Sequence, residues 1–220
     1  NTSDSIKLKI SNLLQDNIMK KITVLFSLFA FVINVFSQNM LPIWQIGQKD
    51  QSAAEFALGS YDYGKYLEKF GTKPAIFEIG KNKEKTDFPF ILPGSSDSWA
   101  GSKGRQIIIR FGVAEEKISG SAQLEINYVN VHGGAPALEV IVNGHLSKVR
   151  APQGGDTDYF EEGRRRYNQK ELKTVIEIPE NVLKKGNNLV SIKSVSGSWL
   201  VFDNIALNAT QQVKLGKTVA

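Results

Sequence analysis

The chain has 220 residues, a net charge of +5 and no cysteine. This length is enough for one ordinary domain with a buried core. The lack of cysteine excludes disulfides, thiolate metal sites and thiol catalysis. Hydrophobic residues make up 41% of the sequence and charged residues 22%, which excludes a disordered or collagen-like chain.

A secretory signal is predicted near the start. Met19 precedes two lysines, then the uncharged, largely apolar run 22–36, and then Ser37, a small residue of the kind found at cleavage sites. The run is shorter than the roughly 20 residues that span a bilayer, so no membrane span is expected. The alternative is a buried core helix.

This signal divides the first part of the chain. We predict an upstream segment 1–18 that is not native, a signal peptide 19–37, and a mature protein from Gln38. The protein is expected to be secreted, periplasmic or in the cell envelope, and bacterial. Removing 1–37 takes away four lysines and two aspartates, so the net charge falls from +5 to +3.

The pattern of the mature sequence predicts an all-β fold. Short runs rich in β-branched and aromatic residues alternate between apolar and polar positions, as in half-buried antiparallel strands. The predicted strands are 75–79, 106–111, 122–131, 137–142, 172–178, 188–195 and 199–207.

Turn signals separate these strands. Asn143-Gly144 is typical of a type I′ hairpin because both residues accept a positive φ. Short helical turns are predicted at 52–58 and 179–183. The pattern predicts a single jelly-roll β-sandwich over 38–208, with 209–220 beginning a linker to a missing downstream domain.

Three stretches resemble a known family. They are the run from Ile43 to Phe56 (IWQIGQKDQSAAEF), the central LEVIVNG ending at Gly144, and 183–207 with its LKKGNNLVSI and GSWLVFDNIAL segments. Together they resemble the galactose-binding-like, carbohydrate-binding-type β-sandwich of rhamnogalacturonan lyases and related secreted polysaccharide-degrading enzymes. The resemblance implies a sandwich that binds carbohydrate or supports its degradation, without naming the sugar.

One loop carries the chemistry expected of an acidic-glycan site. It combines aromatic rings, which stack on sugars, with successive arginines, whose guanidinium groups form bidentate hydrogen bonds with carboxylates. Its candidate ligand-binding residues are Tyr159, Arg164, Arg165, Arg166 and Tyr167. The alternative is a solvated loop in which the arginines pair with Glu161 and Glu162.

Trp99 is a further candidate ligand-binding residue, because it lies in a loop with few apolar neighbours. It either stacks on a sugar or caps one end of the sandwich. Trp44 and Trp199 are predicted to belong to the core. No cofactor is predicted, although Glu55 and Asp203 have the oxygen ligands that a structural Ca²⁺ takes.

No catalytic residue is predicted. A lyase base paired with a neutralising arginine would be His132 with Arg164, but no sequence spacing brings them together, and His145 follows a hairpin turn. The arginine triplet is also weak evidence for nucleic acid, since it lies beside two glutamates in an exported chain without an RNA-binding strand motif.

These observations predict a non-catalytic carbohydrate-binding or support module at the N-terminus of a secreted bacterial polysaccharide lyase or glycosidase. The expected partners are a polysaccharide or oligosaccharide, pectic or otherwise acidic, and the catalytic domain of the same chain. Two alternatives stay open: a catalytically active polysaccharide lyase domain, and a purely structural interaction module.

Overall fold

The computed structural model describes residues 39–59, 62–116, 118, 120–154 and 171–218. The predicted upstream segment and signal peptide lie outside these ranges. No helix within them is long and apolar enough to cross a membrane.

The described chain is built mainly of strands. They are β1 Leu41–Gly47, β2 Ala75–Glu78, β3 Ile91–Leu92, β4 Gln106–Val113, β5 Ala122–Val131, β6 Ala137–Val142, β7 His145–Arg150, β8 Leu172–Ile178, β9 Gly186–Ser196, β10 Leu200–Ala209 and β11 Leu215–Gly216. The helices are α1 Tyr66–Phe70 and α2 Glu84–Asp87, with single 3-10 turns at Tyr63–Lys65 and Ser98–Ala100.

The strands form two sheets. The first has the order β1-β10-β5-β8, with β3 paired to the start of β10; the second has the order β11-β4-β9-β6-β7, with β2 also paired to β4. Every pair is antiparallel except β2 with β4. This arrangement confirms the predicted all-β sandwich.

The core lies between the sheets and follows the period-two pattern of the strands. Alternate residues of β6 and β8 are buried, whereas their neighbours along each strand are more exposed, and β4 and β5 begin with the same pattern. Trp44 is buried and packs edge-on against Phe111, with ring centroids 5.5 Å apart. Its predicted core position is confirmed; Trp199 is half-buried and packs against the same core.

Two local predictions were wrong. The segments predicted as helical turns, 52–58 and 179–183, form turns and bends without a helix, while α1 and α2 formed where no helix was expected. Strands β1, β3, β7 and β11 also escaped prediction, since β3 and β11 have only two residues each and β1 begins with Leu-Pro.

Adjacent β-bulges interrupt the pairing of β5 with β10. Phe202 pairs with Tyr128 and Asn204 with Asn127, so Asp203 is an extra residue on β10. Val201 pairs with Asn130, so Val129 is an extra residue on β5. A bulge bends its strand and re-aims the side chains beside it. Phe202 and Ile205 can therefore both be fully buried.

Four loops meet at one end of the sandwich, which we call the loop face: residues 93–105, 132–136, 151–154 and 197–199. Backbone hydrogen bonds join them, from Ser96 to Gly197, from Ser198 to Gly134 and from Val131 to Gly154. A Cβ on Gly94 would lie 2.2 Å from the Gly197 carbonyl oxygen, so only glycine allows this approach. The opposite end carries the β6–β7 hairpin.

Residues beyond 209 also contact the sandwich. Leu215–Gly216 pair with the end of β4, and Val213 is buried in the core. The Thr218 hydroxyl donates to Glu78 at the end of β2. The folded unit therefore includes residues that the sequence analysis assigned to a linker.

Candidate functional site

Trp99 lies on the loop face within an aromatic group. Its ring is half-buried and meets Tyr63 and Tyr66 edge-on, with centroids 5.1 and 6.4 Å apart. Tyr66 is almost fully buried, which raises its pKa to about 12, whereas Tyr63 is 40% exposed. Trp99 thus caps this end of the core and keeps part of its indole surface open to solvent.

The segment that carries Trp99 is fixed by a buried carboxylate. Asp97 is 5% exposed; it accepts hydrogen bonds from the Gly94 amide at 2.7 Å and the Ser198 hydroxyl at 2.5 Å. Burial raises the pKa of Asp97 although both hydrogen bonds oppose the rise. Because these bonds join two loops, Trp99 is held in place before any ligand arrives.

Arg105 also holds the segment that carries Trp99. Its guanidinium is 5% exposed and donates to the carbonyl oxygens of Ala100 and Thr72. Ala100 ends the 3-10 turn that contains Trp99, and Thr72 follows the end of α1. Carbonyls at helix ends lack partners within the helix, so they are free to accept these hydrogen bonds. Arg105 therefore ties the Trp99 turn to the segment carrying Tyr66.

The other predicted ligand-binding residues lie outside the described residues. They are Tyr159, Arg164, Arg165, Arg166 and Tyr167. The described residues that flank them are Gly154, which pairs with Val131 at the loop face, and Glu171, which precedes β8. The predicted arginine clamp stays a prediction.

The two histidines lie at opposite ends of the sandwich. His132 is on the loop face, where Nδ1 accepts the Gly134 amide at 3.0 Å and the ring packs 5.3 Å from Trp199. His145 begins β7 beside the hairpin turn. The structure does not bring them together, and Arg164, the postulated partner of His132, lies outside the described residues.

Asp203 has a structural role that the sequence did not reveal. Its Oδ1 accepts the backbone amides of Asp50, Gln51 and Ser52 at 3.2, 2.7 and 3.2 Å. Burial raises the pKa of Asp203 to about 6, against the lowering effect of these three bonds. Gln51 adopts a φ of 61°, which turns successive amides toward one carboxylate.

Glu55 and Asp203, the two carboxylates considered above for calcium, each accept backbone amides. Glu55 Oε1 accepts the Gln48 amide at 2.9 Å, so both carboxylates hold backbone amides of the turn after β1. Among the described residues, no three histidine, aspartate or glutamate side chains are grouped so as to hold a metal ion.

A cavity of about 250 Å³ lies beside the two bulges, next to the loop face; we call it the bulge cavity. Lys49 lies at its rim and bonds to Glu125 and Glu171, which raises the pKa of Lys49 and lowers that of Glu171. The cavity is lined by Lys49, Gln51, Asn127, Tyr128, Val129, Glu171, Leu172 and Asp203.

The walls of the bulge cavity are fixed by hydrogen bonds. Tyr128 donates its hydroxyl to Thr174 at 2.9 Å, and the Asn127 amide group donates to Glu125 and Asn204 at 3.0 and 3.2 Å. Asn127 is only 2% exposed, and its Oδ1 has no hydrogen-bond partner among the described residues.

A larger cavity of about 540 Å³ opens between β1 and β2. Its Glu84 accepts the Gly47 amide at 2.9 Å, its Lys85 donates to the Ala54 carbonyl at 2.6 Å, and its Asn82 accepts the Glu78 amide at 2.7 Å. These polar groups hold neighbouring loops in place, so the cavity offers few of them to a ligand.

Sequence reasoning missed the lining of the bulge cavity. Lys49 and Gln51 were visible only as parts of a family-like motif, Asp203 only as a carboxylate considered for calcium, and Asn127 as a polar position of an alternating strand. The available signal was Tyr128-Val129, two consecutive apolar residues that break the alternation of β5, as a bulge does.

Comparison with known families gives the classification. Residues 42–207 match the family described as CBM-like domain III of polysaccharide lyase family 4. The chain belongs to this family. The match spans both motifs that meet at Asp203 and confirms the resemblance to a galactose-binding-like carbohydrate-binding module. The domain is thus a carbohydrate-binding-type module of polysaccharide-degrading proteins. Among curated proteins, none matches the sequence.

Three solved carbohydrate-binding modules show limited similarity to the chain. A family 35 module from an environmental isolate is 16% identical, with a TM-score of 0.38 over 53% of this chain and 73% of that chain. The CBM35 of Cellvibrio japonicus Abf62 is 16% identical, with a TM-score of 0.36 over 52% of this chain and 71% of that chain. Xyl-CBM35, solved with a glucuronic acid containing disaccharide, is 14% identical, with a TM-score of 0.34 over 52% and 72%.

Proposed function

We propose that this family member binds acidic glycans, including pectic ones, through its loop face. The module would serve at the N-terminus of a secreted bacterial polysaccharide lyase or glycosidase. The observation that carries the proposal is Trp99, a half-buried indole fixed by Asp97 and Arg105 beside an exposed tyrosine. Such a ring stacks on the apolar face of a sugar.

The acidic preference rests on the arginine triplet. Arg164, Arg165 and Arg166 belong to the segment between Gly154, at the loop face, and Glu171. Guanidinium groups engage carboxylates in two-pronged hydrogen bonds, which suits a chain of uronate residues. We infer that the triplet binds uronate carboxylates while Trp99, together with Tyr159 and Tyr167, stacks on the rings.

Affinity electrophoresis against polygalacturonate and a neutral galactan separates the role of the arginines from that of Trp99. Trp99→Ala is expected to weaken binding to both polymers roughly tenfold or more, because one stacking contact is lost. Arg164→Ala/Arg165→Ala/Arg166→Ala is expected to weaken binding to polygalacturonate alone. Rising salt should have the same selective effect, since it screens the carboxylates.

Matched controls remove similar groups far from the loop face. Leu146→Ala removes an exposed apolar side chain from β7, and Lys148→Ala/Lys184→Ala/Lys185→Ala removes three exposed positive charges. Both should leave retardation unchanged. If the folded protein is retarded by no polysaccharide, the proposal fails and the structural interaction module is favoured; release of unsaturated uronates would instead favour a lyase.

Export is tested separately. We propose that the chain is cleaved after Ser37, so N-terminal sequencing of the secreted protein should read Gln38 first. Any earlier N-terminus would contradict both the signal peptide and the assignment of 1–18 as non-native.

A further inference from the structure

The bulge cavity has features of a binding site that the proposed function does not use. It lies at two adjacent bulges, where Asp203 and Val129 are extra residues without a cross-strand partner. Bulges recur next to functional sites, where they aim a side chain that a regular strand would direct elsewhere. Here they bring a buried carboxylate and an apolar side chain to one cavity.

Its size limits the ligand. At about 250 Å³ the cavity is smaller than the 300–1,000 Å³ typical of sites for drug-sized molecules. A single sugar ring fits this scale, whereas an oligosaccharide does not. The walls are held by the hydrogen bonds of Asp203, Asn127 and Tyr128, so little ordering is needed on binding.

Its polar groups favour hydroxyl donors. Asp203 and Glu171 supply carboxylates, which form short, strong hydrogen bonds with O–H donors. Asn127 adds a buried carbonyl oxygen that lacks a partner among the described residues, a state that proteins rarely leave uncompensated. Val129 and Leu172 supply apolar contact for the C–H face of a ring.

The charge of the bulge cavity disfavours a ligand that carries a carboxylate. Two acids and one base line the cavity, and that base, Lys49, is already bonded to Glu125 and Glu171. A uronate placed here would meet negative charge without an uncommitted cation in the lining. The cavity is thus complementary to a neutral sugar, in contrast to the arginine triplet.

We propose that the bulge cavity is a subsite for one neutral sugar residue, whose hydroxyls donate to Asp203, Glu171 and Asn127. The proposal rests on the proposed glycan-binding function, but it uses residues separate from Trp99. A module with both sites would recognise a glycan that presents neutral residues beside uronates.

Amide chemical shifts distinguish the two sites. Titration of the folded domain with galactose or rhamnose, at tens of millimolar, should shift the amides of Gln51, Asn127 and Leu172. Titration with galacturonate should leave these amides unchanged. The indole N–H of Trp99 separately reports the loop face, so a silent indole with shifted cavity amides would count against the proposed function and not against this subsite.

Variants then test two residues that line the cavity, Gln51 and the proposed acceptor Glu171. Gln51→Gly removes the side chain but keeps the positive φ, and Glu171→Gln removes one charge at a half-exposed position. Each should weaken neutral-sugar binding roughly fivefold, as expected for about one hydrogen bond. Glu177→Gln, an exposed change on the same strand as Leu172, should have no effect.

The proposal is overturned by any of three results. These are no shift of the cavity amides with either neutral sugar, shifts of equal size with galacturonate, or unchanged affinity in both Gln51→Gly and Glu171→Gln.

Discussion

Asp203 joins two parts of the chain that lie more than 150 residues apart in sequence. Its carboxylate holds the turn after β1, while the neighbouring Asn204 amide group donates to the carbonyls of Ile46 and Gly47 at 3.2 and 3.1 Å. The opening and closing motifs of the family are thus two halves of one contact. Their hydrogen bonds therefore hold the fold together at this point.

The pKa of Asp203 predicts an unusual pH response. Burial raises this pKa from 3.8 to about 6, so folding favours the protonated form, and the stabilising contribution grows as pH falls from 7 through 6 toward 4. The charged groups around it are Lys49, Asp50 and Glu171.

Urea unfolding of the native domain and Asp203→Asn at pH 7 and 5 isolates this contribution. The unfolding free energy of the native domain should rise by about 1 kcal/mol relative to the variant on going to pH 5. A difference between the two proteins that does not change with pH would contradict the assignment.

Gly47 is required at the end of β1. It has a φ of 75°, and a Cβ there would lie 2.4 Å from Phe56 Cζ and 2.6 Å from the Asp203 carbonyl oxygen. Gly47→Ala should lower the unfolding free energy by about 2–4 kcal/mol through strain and overpacking. Gly64→Ala is the control, because a Cβ there meets nothing within 4 Å; equal melts for the two variants would refute the prediction.

The β6–β7 hairpin is held by more than its turn. Asn143 has a φ of 47°, and its amide group donates to the Val182 carbonyl and the Asn188 side chain at 2.8 and 2.7 Å. Its Oδ1 accepts the Leu189 amide at 2.9 Å. The side chain therefore connects the hairpin to the β8–β9 loop and to β9.

Asn143→Gly separates these two roles, because glycine keeps the positive φ and loses three hydrogen bonds. The expected loss is about 2–3 kcal/mol of unfolding free energy, measured by urea titration. Gly144→Ala, where a Cβ finds open space but the φ of 93° is strained, should cost about 1 kcal/mol. The opposite ranking would show that the turn alone matters.

Strands with clear alternation could be predicted from sequence. β5, β6 and β8 have the predicted bounds, because β6 and β8 bury every second residue and β5 begins with the same alternation. The helical turn predicted at 52–58 failed for a non-local reason. The Ser52 amide donates to Asp203 and the Ala57 amide donates to the carbonyls of Glu84 and Phe88, and no local pattern indicates such partners.

The candidate site could be predicted only in part. Trp99 was recognisable because an indole in a polar loop is unusual, and the structure shows it half-buried at the end of the core. The bulge cavity depends on where two strands lose register, at Val129 and Asp203. Register is a property of a pair of strands, so a reading of either strand alone does not show it.

At the scale of the whole molecule, the sandwich is completed by the segment after β10. Val213 is 6% exposed and β11 covers the end of β4, where a Cβ on Gly112 would lie 2.5 Å from the Gly216 carbonyl oxygen. A protein ending at Asn208, the boundary predicted from sequence, should lose about 2–4 kcal/mol of unfolding free energy relative to one ending at Thr218. Similar thermal melts would instead support a linker beginning at 209.

The pairing of β1 with β10 also determines at which end of the sandwich the first strand begins. Leu41 lies opposite Ala209, so the first strand starts and the last long strand finishes side by side, at the pole remote from the loop face. After β10 the chain continues on the sandwich, where Leu215–Gly216 pair with the end of β4. Residues from both ends of the described chain therefore lie at the end of the sandwich remote from the surface that carries Trp99.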